Sequence, residues 1–191
     1  MTVSLEEYDI YGMNFDEQDE PIDWRVIYHE NVNYNVTEEE IINNGVKTFK
    51  EATPEYYAPF NDTYKITFKE TDEVMNCYDE KFNSIVARIL KDKFNVMVEE
   101  NKVSDYLEQI DEKYYEKFET WGHKLLGYPA FTQSDPRYYN KEYIKYDTLL
   151  LQIDTDDDIM WGDSGVANFF ISKDDLKNKN FSKILYNWDC C

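Results

Sequence analysis

Leu149-Leu150-Leu151-Gln152-Ile153, then an acidic loop, then Val166-Ala167-Asn168-Phe169-Phe170-Ile171: these two apolar runs decide the fold. Both are short and bounded by turn-forming residues, so they read as buried strands. Residues 183–188 form a further β-like segment, and Ser172 with Asp175 has the capping-box spacing of a short helical turn between the two. Working back from Leu149, Gly127, Pro129 and Pro136 punctuate a loop. Before it, Leu107, Ile110, Tyr114 and Phe118 recur at helical spacing after Ser104, a candidate cap, and Gly122 is the expected stop. Phe82, Ile85, Val86, Ile89 and Leu90 mark an earlier helix of the same kind. Each has one apolar stripe, expected to face the core.

Nearer the start, Tyr64, Ile66 and Phe68 alternate with Lys65, Thr67 and Lys69, the period-2 pattern of a half-buried strand. Thr37 followed by Glu38, Glu39 and Glu40 has the form of a capping box, opening a short helix that Gly45 would end. Residues 24–29 read as another strand. Strands and helices thus mix without regular alternation. That pattern predicts a single α+β domain over residues 1–191, with a largely antiparallel mixed sheet and a few short helices.

Forty Asp and Glu against 20 Lys and Arg give a formal charge of −20. A polyanion needs a basic footprint that this balance denies, so nucleic acid is not the expected partner. The first forty residues are the most lopsided, with twelve acids against the single base Arg25. No run approaches the roughly 20 apolar residues of a membrane span, and residues 1–7 lack the pattern of an export signal, so the expectation is a cytoplasmic protein off the membrane. Cys77, Cys190 and Cys191 have no metal-ligand spacing and read as reduced thiols.

The densest chemical constellation is the loop from Asp154 to Gly165. Asp154, Asp156 and Asp158 occupy the first three carboxylate positions of a calcium loop. Ile159 then stands where the turn glycine belongs and Gly165 where the bidentate glutamate belongs, so a solvated acidic turn is the expected reading and calcium the weaker one. With six glycines there is no phosphate-cradling loop, and no cofactor is implied. His29 and His123 are the only imidazoles, and neither sits in a nucleophile motif, so no catalytic residue is assigned and the balance leans against an enzyme. Polar groups among aromatics near glycine turns nominate His123, Gln133, Gln152, Trp161 and Asp163 as ligand-binding candidates. Trp161, Gly162 and Asp163 have a structural alternative: an indole plugging the core, a glycine with positive φ, and an aspartate accepting from the next amides.

The string Gly122-His123-Lys124-Leu125-Leu126-Gly127-Tyr128-Pro129, with Gln133, Asp135, Pro136 and Arg137, resembles the YwqG-like bacterial family of unknown function. Leu149 to Asp154, Trp161 to Val166, Asn168 to Ile171, and the ending Trp188-Asp189-Cys190 extend the likeness over residues 121–191, with a weaker trace in residues 25–30. The resemblance implies a bacterial cytosolic protein with a mixed fold and no established activity. It also implies an additional segment at the start of the family's domain, without counterpart here, whose absence would leave a sheet edge or pocket open. The reading favoured overall is a non-enzymatic, acidic protein-interaction module that masks a basic partner, a toxin domain for example. The alternative is a small-ligand-binding or enzymatic domain built on the five candidate residues. Oligomeric state is not legible at this stage.

Overall fold

In the computed structural model of the chain, residues 2–3, 11–21, 24–37, 39–40, 59–60 and 64–191 are described. Near the start, β1 (Thr2–Val3) and β2 (Trp24–Arg25) make a two-residue antiparallel ladder. The helices α1 (Phe82–Phe94) and α2 (Val103–Ile110) follow, then β3 (Lys124–Leu125), β4 (Thr148–Asp154), β5 (Val166–Ile171), the short helix α3 (Lys173–Lys177) and β6 (Leu185–Asp189). Strands β3-β4-β5-β6 form one antiparallel sheet in sequence order, and the architecture is α+β.

Every residue of β5 is buried, because both faces of the sheet are covered. Ala167, Phe169 and Ile171 point into an aromatic core with Tyr186, Trp161 and, from the N-terminal segment, Tyr11, Met13 and Trp24. Trp24 meets Phe169 and Tyr186 edge-on, and those two rings stack with centroids 4.4 Å apart. On the opposite face Phe170 joins Leu149, Leu185, Phe131, Tyr143 and Tyr146. A register shift between Leu149 and Leu151 reconciles this with the triple leucine of β4. The extra residue lets Leu150 and Leu151 both serve the aromatic core while Leu149 serves the other.

Local signals were obeyed where the chain could satisfy them locally. Asp175 N–H donates to Ser172 Oγ at 3.0 Å and Ser172 Oγ to the Asp175 carboxylate at 2.7 Å, starting α3. Thr37 and Glu40 make the reciprocal bonds of a capping box; the rest of that expected helix, to Gly45, lies outside the described residues. α1 runs to Phe94, four residues beyond its periodic apolar set, and ends on Asn95 in the left-handed conformation with φ +55°.

Three expectations need correction. The strand over residues 24–29 shrinks to Trp24–Arg25, which is as far as pairing with β1 extends. The second helix begins at Val103, with Lys102 instead of Ser104 at its cap position, and stops at Ile110 well before Gly122. Its stop is Asp111, which turns extended and accepts the Lys113 amide in a local turn that competes with helical continuation. Residues 64–76 form no ladder, and Ile66 and Phe68 are 72% and 75% exposed, because among the described residues no strand pairs with this segment. The helical stripes also stay half open: Phe82 and Val103 are buried, whereas Ile89 and Ile110 are 45% and 67% exposed. No helix among the described residues is long and apolar enough to cross a membrane.

Candidate functional site

The sheet face that carries Phe170 changes character along its strands. At one end it is apolar; at the other, register places Gln152 beside Asn168 and Asn168 beside Asn187, with Asp154 and Asp189 flanking Val166 in the next row. All five polar side chains are buried. Burying such groups is tolerable only if they find hydrogen-bond partners, and the loop over residues 120–137 supplies them. Gln152 Oε1 accepts from Ala130 N–H at 2.7 Å, while its Nε2 donates to the carbonyls of Thr120 and Gly122 at 3.1 and 2.8 Å. Asn168 Nδ2 donates to the Ala130 carbonyl at 2.8 Å. Asp189 accepts from Thr132 N–H and Oγ and from Gln133 N–H at 2.8–3.2 Å. Burial pushes the Asp189 carboxyl above its ordinary range, and the three donors pull the other way.

The same loop carries a buried charge cluster. Arg137 makes a bidentate contact with Asp135, its terminal nitrogen lies 3.6 Å from Asp79, and its guanidinium stacks 4.4 Å above the Phe170 ring. Two carboxylates thus share one guanidinium. Burial raises the Asp79 carboxyl, with the Lys81 amide and Arg137 opposing. Lys124, held by Glu73 and by the carbonyls of Thr120 and Tyr128, closes the near edge; burial holds its ammonium below the usual lysine range against the pull of Glu73.

The five nominated ligand residues are distributed over this framework in two groups. Gln152 is the central clasp of the loop, and His123 sits at its margin. His123 Nδ1 accepts the Asp154 amide at 3.0 Å, which fixes the proton on Nε2, aimed at Asp156 at 2.8 Å. With both nitrogens engaged, this imidazole has no free position for base catalysis. Gln133 is exposed and donates to the Cys190 carbonyl at 2.7 Å. Trp161 lies on the other side of the sheet, fully buried in the aromatic core, and Asp163 is exposed beyond it. Gly162 takes φ +54°, as a turn there requires. Two side chains tie this turn: Thr155, whose hydroxyl accepts from Trp161 N–H at 3.1 Å and donates to the Gly165 carbonyl at 2.8 Å, and Tyr11, whose Oη accepts from Gly162 N–H at 3.2 Å.

The acidic loop distributes its carboxylates in the same way. Asp154 accepts from the amides of Gly122 and Thr155, and Asp156 from those of Asp158 and Ile159. Hydrogen bonding to His123 and these amides lowers the Asp156 carboxyl. Among the described residues no three His, Cys, Asp or Glu side chains gather where they could hold a metal ion. What the polar face still offers a ligand is acceptor capacity: Asn168 Oδ1 and Asn187 Oδ1 are buried without a hydrogen-bond partner. Sequence reading passed over Asn168, Asn187, Asp189 and Asp79 as site residues. The available signal was a carboxamide inside an otherwise apolar strand, as at Asn168 between Ala167 and Phe169.

A family model described as a domain of unknown function, DUF1963, matches residues 3–190. The chain belongs to that family. The DUF1963 match therefore takes in the N-terminal segment and the helices α1 and α2 as well as most of residues 121–191. No curated protein matches the chain.

Proposed function

We propose that this DUF1963 member is a single YwqG-like domain of the bacterial cytoplasm that acts without catalysis, as an acidic module docking on a basic protein surface. The carrying observation is the turn over residues 16–20. Asp16, Glu17 and Glu20 are exposed, and Asp19 is half-buried beside them. Glu20, first through its charge, and then Asp19 and Asp16 raise the Glu17 carboxyl, so like charges crowd there. Such crowding opposes the turn unless the body of the protein holds it. Gln18 N–H donates to Tyr143 Oη at 3.0 Å, the Gln18 carbonyl accepts from Tyr186 N–H at 3.1 Å, and Tyr146 and Lys145 bond Asp19. An acid cluster presented on fixed backbone is suited to meet a basic partner with little ordering cost. Membrane and nucleic acid are not partners in this reading, and no cofactor is required.

The test is recovery of partners from a source lysate at low and high salt, with Asp16→Asn/Glu17→Gln/Glu20→Gln as the comparison. A basic partner whose affinity falls with salt, and about tenfold in the triple variant, supports the proposal. A neutral partner indifferent to both overturns it. The second reading, a ligand site at the polar sheet face near His123, Gln133 and Gln152, is favoured by the unpartnered oxygens of Asn168 and Asn187. A donor-rich metabolite that raises the melting temperature of the wild type but not of Asn168→Ala would establish it.

A further inference from the structure

We propose that the polar half of the sheet face, where Asn168 and Asn187 stand opposite each other beneath the loop over residues 130–133, binds a dehydrated monovalent cation, a potassium ion or an ammonium group. The inference rests on the second reading above, that this face is a ligand site, and names the class of ligand. Asn168 and Asn187 are direct partners in the β5–β6 register, and Asp189 follows two residues on, on the same face. Asn168 is fully buried and Asn187 is 4% exposed, yet the Oδ1 atom of each has no hydrogen-bond partner. Asn168 Nδ2 donates to the Ala130 carbonyl, which can only accept, so the orphan atom of that side chain is its oxygen. A buried acceptor left bare costs free energy that a cation or a donor recovers.

The charges around these oxygens decide between a cation and a neutral donor. Asp79, Asp135, Asp154 and Asp189 are all buried on this side of the sheet. Arg137 is the buried base among them, shared by Asp79 and Asp135, and Lys124 at the near edge is taken by Glu73. Burial is the first cause that pushes the Asp79 and Asp189 carboxyls up, and the charge of Asp135 adds to it at each. Negative charge is therefore in excess, and the nearby donors are spent. Gln152 Nε2 serves the carbonyls of Thr120 and Gly122, and the amides of Thr132 and Gln133 serve Asp189. Neutral carbonyl-type oxygens in a negative, low-dielectric surrounding are the groups that replace the hydration shell of a monovalent cation. A divalent ion prefers several charged ligands, and among the described residues no three His, Cys, Asp or Glu side chains gather for one.

Thermal unfolding of the full chain in potassium, ammonium, methylammonium or tetramethylammonium chloride at one ionic strength tests the site. Fixed ionic strength holds the screening of the −20 charge constant, and tetramethylammonium, bulky and without N–H donors, is the reference that does not enter. Expected is a melting temperature at least about 2 °C higher in potassium or ammonium than in tetramethylammonium. That difference is lost in Asn168→Leu and Asn187→Leu, neither of which changes the charge. Potassium acting alone identifies an ion bound through oxygens only, whereas ammonium and methylammonium acting together identify the amino group of a larger ligand. Asn187→Leu leaves the bond from Asn168 to Ala130 in place, so it reads the site should Asn168→Leu not fold. Equal melting of the wild type in all four salts, as when the Asn187 carboxamide turns its Nδ2 onto Asn168 Oδ1, overturns the proposal. A cation effect that survives in Asn187→Leu overturns it too. With equal melting in all salts, a neutral donor-rich metabolite that stabilises the wild type but not Asn168→Ala still upholds the ligand reading, so the two failures are told apart.

Discussion

The sheet body and the helical arm spend their side chains in opposite ways. In the body, β4, β5 and β6 bury apolar residues on both faces and five polar ones besides, four of which, Gln152, Asp154, Asn168 and Asp189, bond the 120–137 loop. In the arm, α1 and α2 display regular amphipathic periods, yet Ile89, Phe94 and Ile110 face solvent. The arm departs from and returns to one point, where Cys77 N–H donates to the Phe118 carbonyl at 3.2 Å, Asn76 bonds Thr120, and the rings of Phe82 and Phe118 meet edge-on. A period therefore reports which element forms; whether its apolar face is covered depends on what the rest of the chain brings to it.

The contrast breaks first at Trp161. Trp161→Ala removes a fully buried ring from the larger core and is expected to cost about 3–5 kcal/mol in urea unfolding. A cost near zero would mean that the body is as loosely covered as the arm. Next is Gln152→Ala, expected to cost about 1–3 kcal/mol, because the buried Ala130 amide loses its acceptor. Hydrogen exchange should show the 120–137 loop opening earlier in that variant, with β5 unchanged.

The third prediction sits where the two regions join. Asp79 accepts the Lys81 amide in the turn just before α1 and shares Arg137 with Asp135. Its carboxyl is raised above its unfolded value of 3.8, so the folded state holds the proton more tightly than the unfolded state. Stability from this group is therefore present below that value and is lost as pH rises through the folded one. Asp79→Asn should flatten that part of the pH dependence, read as the difference between wild-type and variant unfolding curves from pH 3 to about 7. Equal slopes would show that Asp79 titrates as it does unfolded. The smallest effect is expected in the arm: Ile89→Ser, at an exposed position, should change stability by no more than about 0.5 kcal/mol. A loss above 2 kcal/mol, on the scale of a buried aliphatic, would mean that the arm's stripe is covered in solution.

Much of the fold was legible because its signals are local. Six consecutive buried residues with β-branched and aromatic side chains can hardly be anything but a central strand, and Ser172 with Asp175 closes its capping box within one turn. Part of the candidate site was legible too, since Gln152 and His123 were named and both prove to stand at the seam between sheet and loop. Their partners were not, because those bonds span 22 to 33 residues and no spacing rule reaches that far.

By itself, then, the sequence determined the order and type of the C-terminal strands, the capping boxes at Thr37 and Ser172, the charge of −20 and the absence of a basic footprint. The tertiary structure alone decided that Asn168, Asn187 and Asp189 are buried, that Trp161 and Gln152 lie on opposite faces, and that Ile66 and Phe68 are exposed. Propensity and periodicity act within a few residues of backbone geometry, whereas burial requires surfaces to meet from distant parts of the chain. The free energy that rewards that meeting belongs to no single segment.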